Sequence, residues 1–436
     1  MPQCQPCGVS VLSGFVLAAV MAFPIAIAIF RSQRMDVPAF VFNAGRNSLS
    51  QITASVICGN IGIGTFVAIF LFTRASLTIG ISIAIAYTMG LVVCAILARR
   101  IHELSSRHDT FGLVDLIVVT HGVRHPLLIW MPVAVVFVLR IMVQIAALAL
   151  ILTEAFGLSP TASLAVATIS SGSYVVIGGY RAATETDMFH ASVILSILLF
   201  VAATMPAAGG EIDLLDLGPY TPVLLVGIFL FLPFSAVLGI DNWQRIATAR
   251  TAEVATKAYG ICAVVCGFCY ATIVAVAALP GGGTDVLASF RALMPPGAPW
   301  LADLLFACAI ISTIDTFMVP LTTTFARLGL NLSQLRWLVA GLFGLVAVLT
   351  GMMGDLLSNI IAAFNSLAVF LPAVFGALVL RAPKPQAAIS SMVIGVAASL
   401  LLTTIDVSSS APIGFAVSVA TYWLVHQARL LRRATD

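Results

Sequence analysis

Apolar stretches long enough to cross a membrane follow one another along almost the whole chain. A transmembrane helix needs about 20 apolar residues. Thirteen such segments occur, near residues 10–30, 50–72, 77–98, 127–153, 159–179, 188–207, 221–244, 257–279, 300–326, 335–351, 356–380, 387–404 and 410–428. Only 9% of the 436 residues are charged, whereas about a quarter are charged in soluble domains. The sequence therefore predicts an all-α membrane protein with about 13 transmembrane helices.

Basic residues collect on one side of this arrangement. They follow the odd-numbered spans, and the opposite loops hold only Arg74 and Arg291 together with the acidic residues Glu211, Asp213 and Asp216. The positive-inside rule then places the N-terminus outside the cell membrane and the C-terminus in the cytoplasm. No polar stretch is long enough to form an appended soluble domain, and nothing supports nucleic-acid binding.

The ten spans between residues 50 and 380 divide into two sets of five. An odd number of spans per set gives the two sets opposite orientations, which is typical of inverted repeats in transporters. We therefore predict an N-terminal peripheral helix within residues 1–43, a first five-helix repeat at 44–208 and a second at 209–381. Two C-terminal peripheral helices occupy residues 382–436.

The first span of each set carries signs of an interruption. QITASVICGNIGIGTFVAIF, residues 51–70, has Gly59, Gly62, Gly64 and the polar Asn60 at its middle, and LLVGIFLFLPFSAVLGIDNWQR in the second set has a proline and a glycine. Irregular backbone is tolerated at membrane depth only where it lines a cavity or is buried in protein. Paired broken helices predict a binding site at the bilayer midplane. The alternative for the glycines is close helix packing.

The segment IISTIDTF places hydroxyl side chains near the middle of another span. Ser312, Thr313 and Thr316 lie on nearly one helix face. Hard cations prefer oxygen ligands, so these hydroxyls and carbonyls from a broken helix are suited to Na⁺. Alternatively, each hydroxyl donates to the carbonyl one turn back.

Arg140 is the basic residue placed deepest in a span, within VFVLRIMVQIAAL. Burying its charge costs at least ~2.5–3.5 kcal/mol, so it requires a partner. Two partners fit the sequence. One is Asp315, the deepest acid, and the other is the carboxylate of a substrate, which the planar guanidinium binds well.

Other polar residues have simpler explanations. Asp187 lies within YRAATETDMFH, predicted to be a loop leading into a span, and is expected in the first turn of that helix, as a capping group or as a station for a leaving cation. Asp241 and Arg245 are spaced as an interfacial ion pair. Cys4 and Cys7 form a C-x-x-C motif that we expect to be incidental, although such motifs can be redox-active or bind metal. Enzyme motifs are missing.

Four segments in order resemble the sodium/solute symporter family, between about Ala44 and Arg327. They are AGRNSLSQITASVICGNIGIGTF, SYVVIGGYRAATETD, GIDNWQR and ISTIDTFMVPLTTTFAR. The resemblance implies a LeuT-like core of two inverted five-helix repeats, with discontinuous core helices 1 and 6. It also implies a Na⁺ site between core helices 1 and 8.

Carried over by position, the resemblance implies five Na⁺ ligands. Ser312 and Thr313 supply side-chain oxygens, whereas Cys58, Ile61 and Ala309 supply backbone carbonyls. Asp187 matches the family's acidic residue near the inner Na⁺ route. Na⁺ is then the coupling ion, and no other metal is implied.

The departures from the family bear on the substrate. The sugar-transporting members have Gln at the position of Thr65 and a gating Tyr near Val237, so a sugar is not expected. His190 stands where Gln is usual, and a histidine can confer pH sensitivity. Phe229, Phe231 and Phe234 suggest an apolar wall.

We therefore expect a Na⁺-coupled symporter of a small organic solute, a carboxylate or an amino acid. Its substrate-binding residues are expected to be Asn60, Thr65, Arg140 and Phe234. One alternative is proton coupling on the same fold through Asp187, His190 or Asp315. Another is a substrate-sensing membrane module without net transport. The sequence leaves the oligomeric state open.

Overall fold

The chain folds almost entirely into helices. The computed structural model describes residues 11–33, 35–43, 47–206, 216–280, 283–353, 359, 362–363, 366–380, 383–405 and 407–435. The helices are α1 (Val11–Ser32), α2 (Val37–Phe42), α3 (Leu49–Asn60), α4 (Ile63–Ala75), α5 (Leu77–His108), α6 (Leu113–His121), α7 (Leu127–Phe156), α8 (Pro160–Thr204), α9 (Pro222–Leu238), α10 (Ile240–Thr248), α11 (Ala252–Ala278), α12 (Val286–Ala292), α13 (Trp300–Met318), α14 (Thr323–Arg327), α15 (Leu332–Gly351), α16 (Leu371–Val379), α17 (Pro385–Thr403) and α18 (Val407–Thr435). Within these ranges the only β pairing is an isolated bridge between Asn47 and Ala249.

Eight of the described helical segments are long and apolar enough to span a membrane, and two bent helix pairs raise the number to ten. The predicted stretch at 356–380 is described only in part. The count of thirteen therefore stays a prediction, as do the repeat boundaries, several of whose residues (44, 208, 209, 381 and 382) lie outside the described residues.

The predicted loop between the fifth and sixth spans is wrong. Helix α8 runs through it, and the chain turns at Gly179 alone, whose φ of 52° and ψ of −147° are non-helical. Only glycine adopts this backbone conformation readily. A Cβ atom added to Gly179 would lie only 2.3 Å from the carbonyl oxygen of Phe40. One residue thus replaces the expected loop, and Asp187 lies well inside a helix, not in its first turn.

The first predicted interruption is present at Ile61 and Gly62. Helices α3 and α4 meet there at a bend of 50°. Ile61 ends α3 with non-helical φ and ψ of −108° and 52°, and Gly62 begins α4 with an extended backbone. A capping box of Ser48 and Gln51 starts α3, so the helix is well defined up to its break.

The second interruption is at Gly239, where α9 and α10 meet at 49°. Pro233 remains inside α9. Side chains from α10 donate to carbonyls at the end of α9: Asn242 Nδ2 donates to Ala236 O at 2.8 Å, which also accepts from the Gly239 N–H, and Trp243 Nε1 donates to Val237 O at 2.6 Å. These carbonyls need hydrogen-bond donors from the protein because the membrane interior supplies no water.

Helix α13 forms the centre of the molecule. In the span Trp300–Arg327, 94% of the most apolar window is buried inside the protein, a far larger share than in any other described span. It packs against α3, α7 and α8. This position brings the hydroxyl-bearing face of α13 against the first helix break.

Candidate cation and solute sites

The predicted Na⁺ ligands converge where α13 faces the end of α3. Thr313 Oγ1 lies 3.2 Å from the carbonyl oxygen of Cys58 and 2.6 Å from that of Ala309. Ser312 Oγ lies 3.3 Å from the same Ala309 oxygen. Two carbonyl oxygens therefore lie beside the Thr313 hydroxyl, one of them shared with Ser312, and Ile61 stands at the adjacent break.

The alternative interpretation of the hydroxyls is also observed. Ser312 Oγ donates to Cys308 O at 2.7 Å, Thr313 Oγ1 to Ala309 O, and Thr316 Oγ1 to Ser312 O at 2.7 Å. These bonds use the hydroxyl protons and leave oxygen lone pairs. The three hydroxyls therefore donate their protons to carbonyls within α13, and their oxygen lone pairs can still coordinate a cation.

Glycines of the broken helix allow this close approach. A Cβ on Gly62 would lie 2.6 Å from Thr313 Oγ1 and 2.9 Å from its Cγ2. A Cβ on Gly59 would lie 2.6 Å from Arg245 Nη2. Both positions are therefore too crowded for a side chain, and the two glycines set the distance between the break and its neighbours.

A cavity of about 360 Å³ lies between the two breaks, and we call it the central cavity. Three of the four predicted substrate-binding residues, Asn60, Thr65 and Arg140, line it. Phe234 is partly buried against the core and does not line any of the three described cavities. Other residues contributing to the central cavity are Tyr87, Ser235, Asp241, Asn242, Tyr270 and Phe317.

The predicted apolar wall takes a different form. Phe229 is 40% exposed on the outside, and Phe231 packs edge-on against Phe415 with ring centroids 5.1 Å apart. The aromatic surface of the central cavity comes instead from Tyr87, Tyr270 and Phe317, on helices α5, α11 and α13.

Arg140 reaches into the central cavity and into an adjoining cavity of about 310 Å³ that Gly62 and Thr313 also line. Its guanidinium carbon lies 4.3 Å from the ring centroid of Phe317 and 5.5 Å from that of Phe137. These cation–π contacts stabilise the buried charge. Asp315 lines neither of these cavities.

Asp241 and Arg245 form the ion pair that their spacing predicts, but the pair is buried inside the protein. Arg245 Nη1 contacts Asp241 Oδ2 at 2.5 Å, and both side chains are at most 5% exposed. Arg245 also donates from Nε to Ser55 Oγ and from Nη2 to Thr316 Oγ1, each at 2.8 Å. One guanidinium thus joins α3, α10 and α13.

A third cavity of about 220 Å³, the acidic cavity, lies around this pair. Asp187, Asp241 and Asp315 all line it, together with Arg245. Tyr174 donates to Asp315 Oδ2 at 2.7 Å, whereas Asp315 Oδ1 and Asp187 Oδ1 are buried without a partner in the described part of the chain. Buried carboxylate oxygens of this kind favour a cation or a proton.

Two further sequence interpretations concern histidines and cysteines. His190 is fully buried, and neither ring nitrogen has a partner among the described residues. His121 is buried, and its Nε2 lies 3.1 Å from the Tyr422 hydroxyl; burial lowers the pKa of His121 to about 4. Six cysteines are buried free thiols, and Cys4 and Cys7 lie outside the described residues.

One stretch of the chain matches the model of a known protein family. Residues 41–216 match the family model for the Sodium:solute symporter family. The resemblance seen in the sequence is confirmed. No curated protein sequence matches the chain. A family of transporters, together with a transporter fold, indicates a protein that is not an enzyme.

Solved structures similar to this one are transporters too. A Na⁺-coupled sialic acid symporter in an outward-open state superposes with a TM-score of 0.76 at 12% identity, covering 97% of this chain and 98% of the other. A nucleobase-cation-symport-1 family transporter in a closed conformation gives a TM-score of 0.57 at 14% identity, covering 91% and 95%. At these identities the likeness establishes the fold. Together with the family match, it supports a sodium-coupled symporter that crosses the membrane several times.

Proposed function

We propose that this protein is a Na⁺-coupled symporter of a small organic solute carrying a carboxylate, and that it works by alternating access. The observation that carries the proposal is the position of the Thr313 hydroxyl, 3.2 Å from the Cys58 carbonyl at the end of the first broken helix. A helix that ends in mid-span beside hydroxyls supplies oxygen ligands of low charge. Such a set suits a monovalent hard cation.

The cation site uses the five oxygens expected from the sequence. Ser312 and Thr313 supply hydroxyl oxygens, whereas Cys58, Ile61 and Ala309 supply carbonyl oxygens. The hydroxyl protons already have acceptors within α13. Binding Na⁺ therefore requires no loss of those hydrogen bonds.

The solute site is the central cavity, and Arg140 is its anion-binding group. Asn60 and Thr65 stand on either side of the first break and line the same cavity. We propose that the carboxylate binds the Arg140 guanidinium, whose planar donor fork matches it. Tyr87, Tyr270 and Phe317 surround the rest of the solute.

Coupling follows from the shared break. The cation ligands Cys58 and Ile61 and the cavity residues Gly59 and Asn60 belong to one short segment. A cation that orders this segment stabilises the conformation that binds solute, and by linkage solute strengthens cation binding equally.

The test is Na⁺-driven uptake by purified protein in proteoliposomes, with Thr313→Val and Thr313→Ser as a matched pair. Valine keeps the shape of threonine without its hydroxyl, and serine keeps the hydroxyl. We expect Thr313→Val to raise the Na⁺ concentration for half-maximal uptake at least tenfold, equivalent to about 1.4 kcal/mol. Thr313→Ser should stay within about threefold of the parent. Equal Na⁺ dependence in both variants would contradict the site.

Proton coupling is the second candidate, and the acidic cavity favours it. Asp187 and Asp315 each bury a carboxylate oxygen without a partner in the described chain, and a shared proton would satisfy both. Uptake that follows the pH gradient and ignores Na⁺, and that Asp187→Asn abolishes, would select this candidate.

We further propose the cell membrane as the location, with the N-terminus outside and the C-terminus in the cytoplasm. The support is the clustering of basic residues in alternate loops. Cysteine labelling from one side of sealed vesicles tests it: an engineered Arg433→Cys should react only with reagents that enter the cytoplasmic side.

A further inference from the structure

The central cavity is lined by side chains of opposite charge. Arg140 contributes from α7, and Asp241 contributes from the first turn of α10. Asp241 is also a lining residue of the acidic cavity, where it pairs with Arg245. One carboxylate therefore stands between the two chambers, and the central cavity presents both a cation and an anion to its contents.

The two carboxylate oxygens of Asp241 have different surroundings. Arg245 contacts Oδ2, whereas Oδ1 lies beside the break, 2.7 Å from the position of a Cβ on Gly239. The neighbouring Asn242 is already engaged, since its Nδ2 donates to Ala236 O and its Oδ1 accepts from Tyr259. Asp241 Oδ1 is thus the acidic group at this end of the cavity.

The charges of the central cavity point the same way. Arg140 and Asp241 give its lining one group of each sign. A zwitterion adds no net charge to such a buried site, whereas a ligand that carries net charge adds a desolvation cost.

From the opposition of Arg140 and Asp241 across one cavity, we infer that the solute is a zwitterionic amino acid. Its carboxylate binds Arg140, and its ammonium group binds Asp241 Oδ1 beside the second break. The inference rests on the proposed symport function and narrows its substrate class. It excludes monocarboxylates and dicarboxylates as preferred solutes.

The experiment is a thermal-unfolding screen of the full-length protein in detergent, in NaCl and in KCl. The probes are the twenty standard amino acids with β-alanine, γ-aminobutyrate and glycine betaine. Each amino acid that stabilises the protein is compared with its deaminated acid and its decarboxylated amine, for example leucine with 4-methylpentanoate and 3-methylbutylamine. Because hydrogen bonds to charged groups are strong, we expect at least tenfold weaker apparent binding when either group is removed.

Two variants test whether Asp241 binds the ammonium group. In Asp241→Asn, the ratio of the apparent affinities for the amino acid and for its deaminated acid should fall at least tenfold. Asp303→Asn is the control, because Asp303 is also buried against an arginine, Arg291 at 2.7 Å, but lines none of the described cavities. It should leave the preference unchanged. If Asp241→Asn does not fold, the screen on the parent protein decides alone.

The outcomes separate the two proposals. A deaminated acid that binds as tightly as its amino acid overturns the inference and leaves Na⁺ symport standing. So does stabilisation by Na⁺ alone with no response to any amino acid. The absence of any Na⁺-specific stabilisation, with or without solute, counts against the proposed function itself.

Discussion

Replacing Gly62 with alanine tests whether the break in the first core helix and the cation site are one structure. The backbone of Gly62 has a φ of −91° and a ψ of 170°, which any residue can adopt. The substitution therefore acts only through the added methyl group. That group would lie 2.6 Å from Thr313 Oγ1 and 3.2 Å from its Cβ, so α13 or the break must move.

The size of the effect follows from this overlap. Overpacking by one methyl group costs about 1–3 kcal/mol in tightly packed interiors. If the displacement falls on the oxygens around the cation, the loss appears in Na⁺ affinity as a factor of roughly 5–150. The hydroxyl of Thr313 is retained, so the loss would report geometry alone.

The assay measures the Na⁺ concentration that gives half of the maximal thermal stabilisation, with Gly341→Ala as the control. A Cβ on Gly341 meets no atom within 4 Å, and it lies inside α15, where alanine favours the helix by about 1 kcal/mol. The control should bind Na⁺ like the parent. A Gly62→Ala protein that folds and keeps its Na⁺ midpoint within about twofold would refute the placement of the cation at this break.

Two further predictions concern stability. Gly179→Ala should prevent stable folding or cost at least about 3 kcal/mol, because its φ is 52° and its Cβ would overlap Phe40; a normal melting temperature in detergent would contradict the turn. Asp115 lies on the short α6, outside the candidate spans, where burial raises its pKa to about 6 despite the opposing charge of Arg327. Because the pKa of Asp115 is raised in the folded state, this residue contributes about 3 kcal/mol to the free energy of unfolding below about pH 4. That contribution is lost as the pH rises to about 6. The melting temperature should therefore fall between about pH 4 and pH 6, and Asp115→Asn should flatten that fall; an unchanged profile would rule Asp115 out.

The sequence predicted the positions where backbone regularity fails. The apolar span contains a cluster of two glycines and one polar residue, Gly59, Asn60 and Gly62. Such a cluster is unfavourable in a regular transmembrane helix, and the break lies within it. The second break depends on Gly239, with Pro233 tolerated inside α9. Composition within a single span was sufficient here because unsatisfied backbone groups are costly in a membrane.

The sequence did not predict what fills the space between helices. Asp241 and Arg245, near the end of a span, have the spacing of a surface ion pair. Their burial depends on room that Gly59 leaves on a different helix. The side chains that line the central cavity from α5 and α11, Tyr87 and Tyr270, have no local signal at all. These two residues line the cavity because of the way the helices pack against one another, and a hydropathy pattern does not predict that packing.

The Arg245 guanidinium joins three helices through Ser55 on α3, Asp241 on α10 and Thr316 on α13. Separating those helices would break these hydrogen bonds, and the guanidinium donors would then need other acceptors. Asp187 and Asp315 each have a carboxylate oxygen without a partner in the described chain, and both line the same cavity as Arg245. In the proposed alternating-access cycle, these two oxygens can accept hydrogen bonds from Arg245 when the helices move apart.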